Sequence, residues 1–161
     1  MLKKIIAYLF LIVILNCKPQ LAFAQLRTYQ FEQIDSLNKI EHRPVFVFIN
    51  TAWCRYCAAM KQTTFKDKEV IASLNKNFYF LLLDAESKKD IFFNKHLFKY
   101  KATGPNTGSH ELAEQLALVD GQVNFPTICI LNTGLEIVFQ KTDYLPAADL
   151  KQILNTVSKS N

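Results

Sequence analysis

Two cysteines with two residues between them, in the run Trp53-Cys54-Arg55-Tyr56-Cys57, are the side chains in this sequence best suited to chemistry. Disulfide exchange requires a thiolate as attacker, yet a free cysteine, with a pKa of about 8.5, is mostly protonated at neutral pH. A helix N-terminus stabilises the anion, because its unpaired N–H groups and macrodipole amount to roughly half a positive charge. Ala58, Ala59, Met60, Lys61 and Gln62 favour helix, so a helix is expected from Cys54 to about Thr64, with Cys57 one turn beyond Cys54. That spacing lets the second sulfur reach the first, so a mixed disulfide formed on Cys54 can be displaced intramolecularly by Cys57. Arg55 and Lys61 favour thiolate over thiol by Coulomb attraction if they face the sulfurs.

A cysteine pair also serves as half of a zinc site or as a static disulfide. Structural zinc takes four Cys or His ligands, and the chain has no second pair of this kind; no metal ligands are assigned. Ala58 stands where c-type haem attachment requires histidine. Redox exchange is therefore the favoured reading of Cys54 and Cys57. Trp53 is expected to lie across the surface of this site, and Tyr56 either contacts substrate or covers the helix end. Cys129 falls in the apolar stretch Thr127 to Leu131 and is expected to be an inert buried thiol. His42, His96 and His110 are scattered; even His110, beside a glycine-rich stretch, is expected to be a solvated surface residue.

The elements that must position the pair follow from periodicity. Phe31, Ile34, Leu37 and Ile40 recur at helical spacing within 28–40, and Pro44 prevents continuation. Val45 to Ile49 is a short continuous apolar run, the signature of a strand buried on both faces, and it leads directly into the cysteine motif. Asp67 caps a helix carrying Val70, Ile71 and Leu74, and Phe78 to Leu83 reads as a second buried strand ending at Asp84. Strand, helix and strand in this order imply a parallel pair with a crossover. Residues 87–109, with two aromatic stretches around Asn94-Lys95 and then Gly104-Pro105-Asn106-Thr107-Gly108, read as an inserted hairpin and loop. Ser109 opens a helix through Leu118, Thr127 to Leu131 and Leu135 to Gln140 form a hairpin across Asn132-Thr133-Gly134, and Pro146 opens a last helix.

The N-terminus has a different character. Lys3 and Lys4 precede an unbroken apolar run from Ile5 to Leu15, too short to span a bilayer comfortably, and Ala22-Phe23-Ala24 supplies a small-x-small cleavage pattern. Residues 1–24 are expected to be a signal peptide cleaved after Ala24, leaving one domain over 25–161 in the periplasm or outside the cell, with no stable membrane insertion. Cys17 invites lipidation, but bulky Asn16 before it argues against that. Loss of Lys3, Lys4 and Lys18 removes three of the 19 basic residues against 14 acidic ones and lowers the net charge from +5 to +2, so the basic balance belongs to targeting and nucleic acid is not an expected partner. In an oxidising compartment the remaining Cys54, Cys57 and Cys129 persist as thiols only if buried, metal-bound or redox-active.

The apolar strand leading into Trp53-Cys54-Arg55-Tyr56-Cys57, the later Phe125-Pro126-Thr127 before a strand, and the closing hairpin and helix together resemble the thioredoxin superfamily over roughly residues 28–158, apart from the insertion. Within it, Lys61-Gln62-Thr63-Thr64-Phe65 and Asp67-Lys68-Glu69-Val70 look closest to the periplasmic branch that includes the C-terminal domain of the bacterial transmembrane disulfide reductant. The resemblance implies an α/β three-layer fold, a central mixed sheet of four to five strands flanked by helices, with the insertion at about 87–109. It implies a thiol–disulfide oxidoreductase with Cys54 and Cys57 as catalytic redox pair, a cis Pro126 facing them, and Phe125 pairing its backbone with an extended substrate beside Trp53, Arg55 and Tyr56. Expected partners are protein thiols and disulfides and an upstream redox protein, met by a monomer needing no cofactor. One departure is Phe48, six residues before Cys54, where thioredoxins usually carry a buried aspartate that helps deprotonate the resolving thiol. Two other readings remain: a non-catalytic module that holds a protein or metal ion, and a disulfide isomerase, an activity that usually goes with dimerisation.

Overall fold

The structure is a computed structural model and describes residues 25–159. The expected signal peptide over 1–24, with its cleavage point and Cys17, lies outside the described residues. In chain order a 3₁₀ turn at Phe31–Gln33 leads into α1 (Ile34–Ile40), β1 (Val45–Asn50), α2 (Arg55–Gln62), a second 3₁₀ turn at Thr64–Lys66, α3 (Lys68–Asn77) and β2 (Tyr79–Asp84). The insertion follows as β3 (Ile91–Phe93), β4 (His96–Phe98), β5 (Tyr100–Gly104) and β6 (Thr107–His110). Then come α4 (Glu111–Ala117), β7 (Leu118–Val119), β8 (Gln122–Val123), β9 (Thr127–Leu131), β10 (Ile137–Thr142) and α5 (Ala147–Lys159).

The central sheet runs β10-β9-β1-β2, with β1 and β2 parallel and the β1–β9 and β9–β10 pairs antiparallel. It is the expected mixed sheet with four strands. Alternation sorts its side chains onto two faces. Val45, Val47, Ile49, Leu81, Cys129 and Leu131 meet α1, α4 and Phe93 and Phe98 of the insertion. Phe46, Phe48, Phe80, Ile128 and Ile130 meet Met60, Phe65, Leu74, Leu150 and Leu154 from α2, the second 3₁₀ turn, α3 and α5. The second face is built from aromatic rings: Phe46 stacks on Phe80 at 5.6 Å, and Phe48 and Phe80 meet Phe65 edge-on at 4.7 and 5.4 Å. Such pairs add about 0.5–1.5 kcal/mol beyond the area they bury.

Local chemistry fixes the ends of these elements. Asp67 Oδ1 accepts the N–H groups of Glu69 and Val70, each at 3.0 Å, which caps α3 and holds the carboxyl below the usual range. The Pro146 carbonyl accepts Leu150 N–H at 3.0 Å as α5 begins. The first helix starts later than its periodicity predicts because Tyr29 is drawn into a parallel bridge with Leu81, its N–H donating to the Phe80 carbonyl at 2.9 Å. Among the described residues that single bridge is all that pairs with the outer edge of β2. Leu82 and Asp84 are exposed there, so β2 is not the fully buried strand its composition suggests: the helical layer reaches Phe80 and stops.

The insertion departs from expectation in having two hairpins rather than one. Asn94 and Lys95, with φ of 48° and 62°, form a two-residue turn between β3 and β4. Gly104 to Gly108, read from sequence as a loop, is the tip and return strand of the second hairpin. Gly108 is required there: a Cβ would stand 2.3 Å from the Lys101 carbonyl oxygen and 2.5 Å from Tyr100 Oη. A third, short hairpin, β7–β8, turns at Asp120 and Gly121, both with positive φ. Its Asp-Gly pair is a recognised hairpin signal that sequence reading passed over.

His110 is a correction. It is fully buried, not solvated, and it takes the capping role expected of Ser109. Its Nδ1 accepts Leu112 N–H at 3.2 Å, which leaves Nε2–H to donate to the Lys89 carbonyl at 3.1 Å. One imidazole thus ties the start of the insertion to the start of α4. Ser109 donates instead to the Glu114 carboxylate. The last hairpin also begins later than expected, at Ile137, because Asn132 Oδ1 accepts the N–H groups of Gly134 and Glu136, each at 2.9 Å, and holds the intervening residues in a turn. No helix among the described residues is long and apolar enough to cross a membrane.

Candidate active site

The central strand β1 delivers the chain to the top of the sheet, where Thr51, Ala52 and Trp53 turn it into α2. Cys54 is the N-cap of that helix, in extended conformation, and its Sγ accepts Cys57 N–H at 3.0 Å. The sulfur therefore sits where unpaired helical donors converge. Cys54 and Cys57 are joined in a disulfide, S–S 2.09 Å and Cα–Cα 5.2 Å. Cys57 is 1% exposed and Cys54 5%, so an incoming sulfur meets the rim of Cys54 first.

The other expected site residues gather around this disulfide. Trp53 is 68% exposed and Tyr56 64%, and Arg55 stands exposed between the cysteines. The Trp53 indole lies across the surface, its edge against Phe125 at 6.2 Å, and its N–H donates to Glu86 Oε1 at 3.0 Å. The Phe125–Pro126 peptide bond is cis, and half-buried Phe125 packs against the cluster that contains both cysteines. Thr127 Oγ1 donates back to the Asn124 carbonyl at 2.6 Å, and Asp143 N–H to the Pro126 carbonyl at 3.1 Å, which pins this segment from both sides.

Beneath the cysteines the site is apolar. Phe48, Met60 and Phe65 are buried in the same cluster as Cys54 and Cys57, and among the described residues no carboxylate is buried. The polar exception is Asn50, the last residue of β1, which shares a strand face with Phe46 and Phe48. Its Nδ2 donates to the Leu83 carbonyl at 2.9 Å, and its Oδ1 accepts from Lys61 Nζ at 2.5 Å. Both cations singled out from sequence are exposed, and Lys61 ties its ammonium back to the end of β1 through Asn50. Asn50 and Glu86 were missed by sequence reasoning. For Asn50 the available signal was a polar residue closing an otherwise apolar strand run.

Cys129 lies on the opposite face of the sheet, fully buried, and burial pushes its thiol up to about 12. His42 and His96 are exposed, and His96 rests against Phe98 at 4.6 Å. No group of three or more His, Cys, Asp or Glu side chains among the described residues is disposed to hold a metal ion.

A mixed sheet between two helical layers, with a cysteine pair at the first turn after the central strand, is the arrangement of thioredoxin-like proteins. The chain belongs to that family, whose thioredoxin-like domain matches residues 31–158. Its fold is similar to that of the oxidoreductase DsbH, with a TM-score of 0.61 at 16% identity over 91% of this chain and 94% of that one. It is similar also to the C-terminal domain of Neisseria meningitidis DsbD in the reduced form, with a TM-score of 0.52 at 13% identity over 78% of this chain and 90% of that one. In sequence, 60 residues are 30% identical to spermatogenesis-associated protein 20 of Mus musculus, which is 37% of this chain but 8% of that much longer protein.

Proposed function

We propose that this protein is an exported thiol–disulfide oxidoreductase that exchanges disulfides with protein thiols through Cys54 and Cys57. In the reducing direction the Cys54 thiolate attacks one sulfur of a client disulfide; the client S–S bond breaks and its other sulfur leaves as a thiolate. Cys57 then loses its proton and attacks Cys54 Sγ, the mixed disulfide breaks, and the client's second sulfur leaves. Two electrons pass to the client, whose two thiolates take up protons, and the Cys54–Cys57 disulfide is the product left on the enzyme. An upstream dithiol protein restores the reduced pair by the same steps reversed. Trp53, Arg55, Tyr56, Phe125 and the cis Pro126 form the surface that receives the client strand, and the protein works as a monomer without metal or organic cofactor.

The observation that carries this reading is the disulfide itself, seated on the N-cap of α2 with Cys54, at 5% exposed, the more accessible of its two residues. Changing Cys57 to Ala in the full chain, expressed in its own host, tests it. Client proteins and the upstream donor are expected to accumulate as adducts on Cys54 that dithiothreitol releases, and only in the exported fraction. Absence of any thiol-sensitive adduct would overturn the proposal, and adducts confined to the cytoplasm would overturn the export.

A further inference from the structure

Cys54, Cys57 and Lys61 fall at spacings of three and four along α2, so they share one helix face, with Cβ atoms one turn apart separated by about 5–6 Å. The Lys61 ammonium is not left to wander on this face. It donates to Asn50 Oδ1, and Asn50, 4% exposed, is itself anchored through Nδ2 to the Leu83 carbonyl. Backbone of β2, side chain of β1 and ammonium of α2 thus form one chain that fixes a positive charge on the helix face one turn beyond the resolving cysteine. The buried side chains packed there are apolar: Phe48 from β1, Met60 from α2, Phe65 from the following 3₁₀ turn, and Ile128 from β9. Arg55 is exposed, and two acids lie nearby: Asp84, the register partner of Asn50 at the exposed end of β2, whose Oδ1 accepts Glu86 N–H, and Glu86, whose carboxylate accepts the Trp53 indole N–H.

From this geometry we propose that Lys61, positioned by Asn50, electrostatically holds the negative charge that develops on Cys57 and so replaces the buried acid that Phe48 displaces. The proposal rests on the redox reading above and adds what governs it. When Cys57 attacks the mixed disulfide it must give up a proton, and among the described residues no buried carboxylate lies beneath it to take that proton. The fixed ammonium lowers the cost of the thiolate, and the proton passes to the departing client thiolate. The same charge stabilises the reduced pair relative to the disulfide, since only the reduced state carries thiolate. The pair is thereby biased toward accepting electrons.

Equilibration of the full chain with reduced and oxidised glutathione, followed by alkylation and mass measurement, reads this directly. Lys61→Met is expected to make the disulfide roughly tenfold harder to reduce, about 30 mV. Lys61→Gln keeps a hydrogen-bond donor toward Asn50 without charge and is expected to shift equally, whereas Lys61→Arg keeps the wild-type value. The shift is expected to shrink at high salt, because Lys61 lies at the surface. If Lys61→Gln behaves as wild type while Lys61→Met does not, the bond and not the charge matters, and the proposal falls. It falls also if all three variants match wild type while wild type still equilibrates, an outcome that leaves the redox reading standing. A wild-type protein that never equilibrates with glutathione overturns the redox reading and this proposal together.

Discussion

The two faces of the central sheet each hold buried cysteine, and the contrast between them separates burial from reactivity. Cys129, in the middle of β9, lies in an apolar cluster, its backbone already paired on both sides, with Val47 in β1 and Gln140 in β10. Nothing there stabilises an anion, and burial raises its thiol to about 12. Cys54 and Cys57 are nearly as buried, but they occupy the end of a helix, where N–H groups lack partners and Cys54 Sγ accepts one of them. Accessible area alone does not distinguish the two settings. What distinguishes them is whether the surrounding backbone has donors to spare.

The same contrast holds for the helix caps. On one face the cap of α2 is a sulfur, and on the other the cap of α4 is the imidazole of His110. Both side chains are capable of chemistry. The sulfur is next to an exposed indole and an open surface, whereas the imidazole has both nitrogens committed to backbone and no exposure at all. His110 is a joint between the insertion and the core.

The comparison breaks first at Cys54. Cys54→Ser is expected to reduce insulin-disulfide turnover to the uncatalysed rate, while Cys129→Ser leaves it unchanged; equal losses would mean that the two faces are not chemically distinct. Next, iodoacetamide at pH 8 is expected to leave Cys129 unlabelled in the native protein and to label it fully in urea. The sign of its pH effect follows: with a folded value raised from 9.0 to about 12, the neutral thiol favours the folded state, so stability is full below about pH 9 and declines as pH climbs toward 12. A Cys129→Ala variant should lose that alkaline decline in urea titrations. Phe48→Ala removes a fully buried ring that packs on Phe65 and is expected to cost about 3–5 kcal/mol by urea unfolding. His110→Ala removes a cap and orphans the Leu112 N–H, for an expected loss of about 2 kcal/mol without loss of turnover. The smallest change is Lys95→Gly, which relieves a left-handed φ of 62° in the β3–β4 turn and is expected to add about 1 kcal/mol.

Much of this was legible beforehand. The apolar run Val45 to Ile49, the Asp67 cap and the helix after Cys54 all stand where composition and spacing put them, because each is decided by residues within a turn or two of one another. The misses have the opposite character. Leu82 reads as core and is exposed because, among the described residues, β2 has only the Tyr29 bridge beyond it. His110 reads as surface and is buried because the segment at Lys89, 21 residues earlier, comes back to meet its ring.

The sequence by itself determined that two sulfurs meet at a helix start, since a spacing of two residues and a run of helix formers leave the chain little choice. It determined as well that an apolar residue, Phe48, and not an acid stands six residues before Cys54. Only the tertiary structure decided where the charges around that pair are held. Lys61 finds Asn50, and Trp53 finds Glu86, through contacts between elements that no local pattern encodes, because a long polar side chain takes its direction from whichever partner the packing of strands and helices brings within reach.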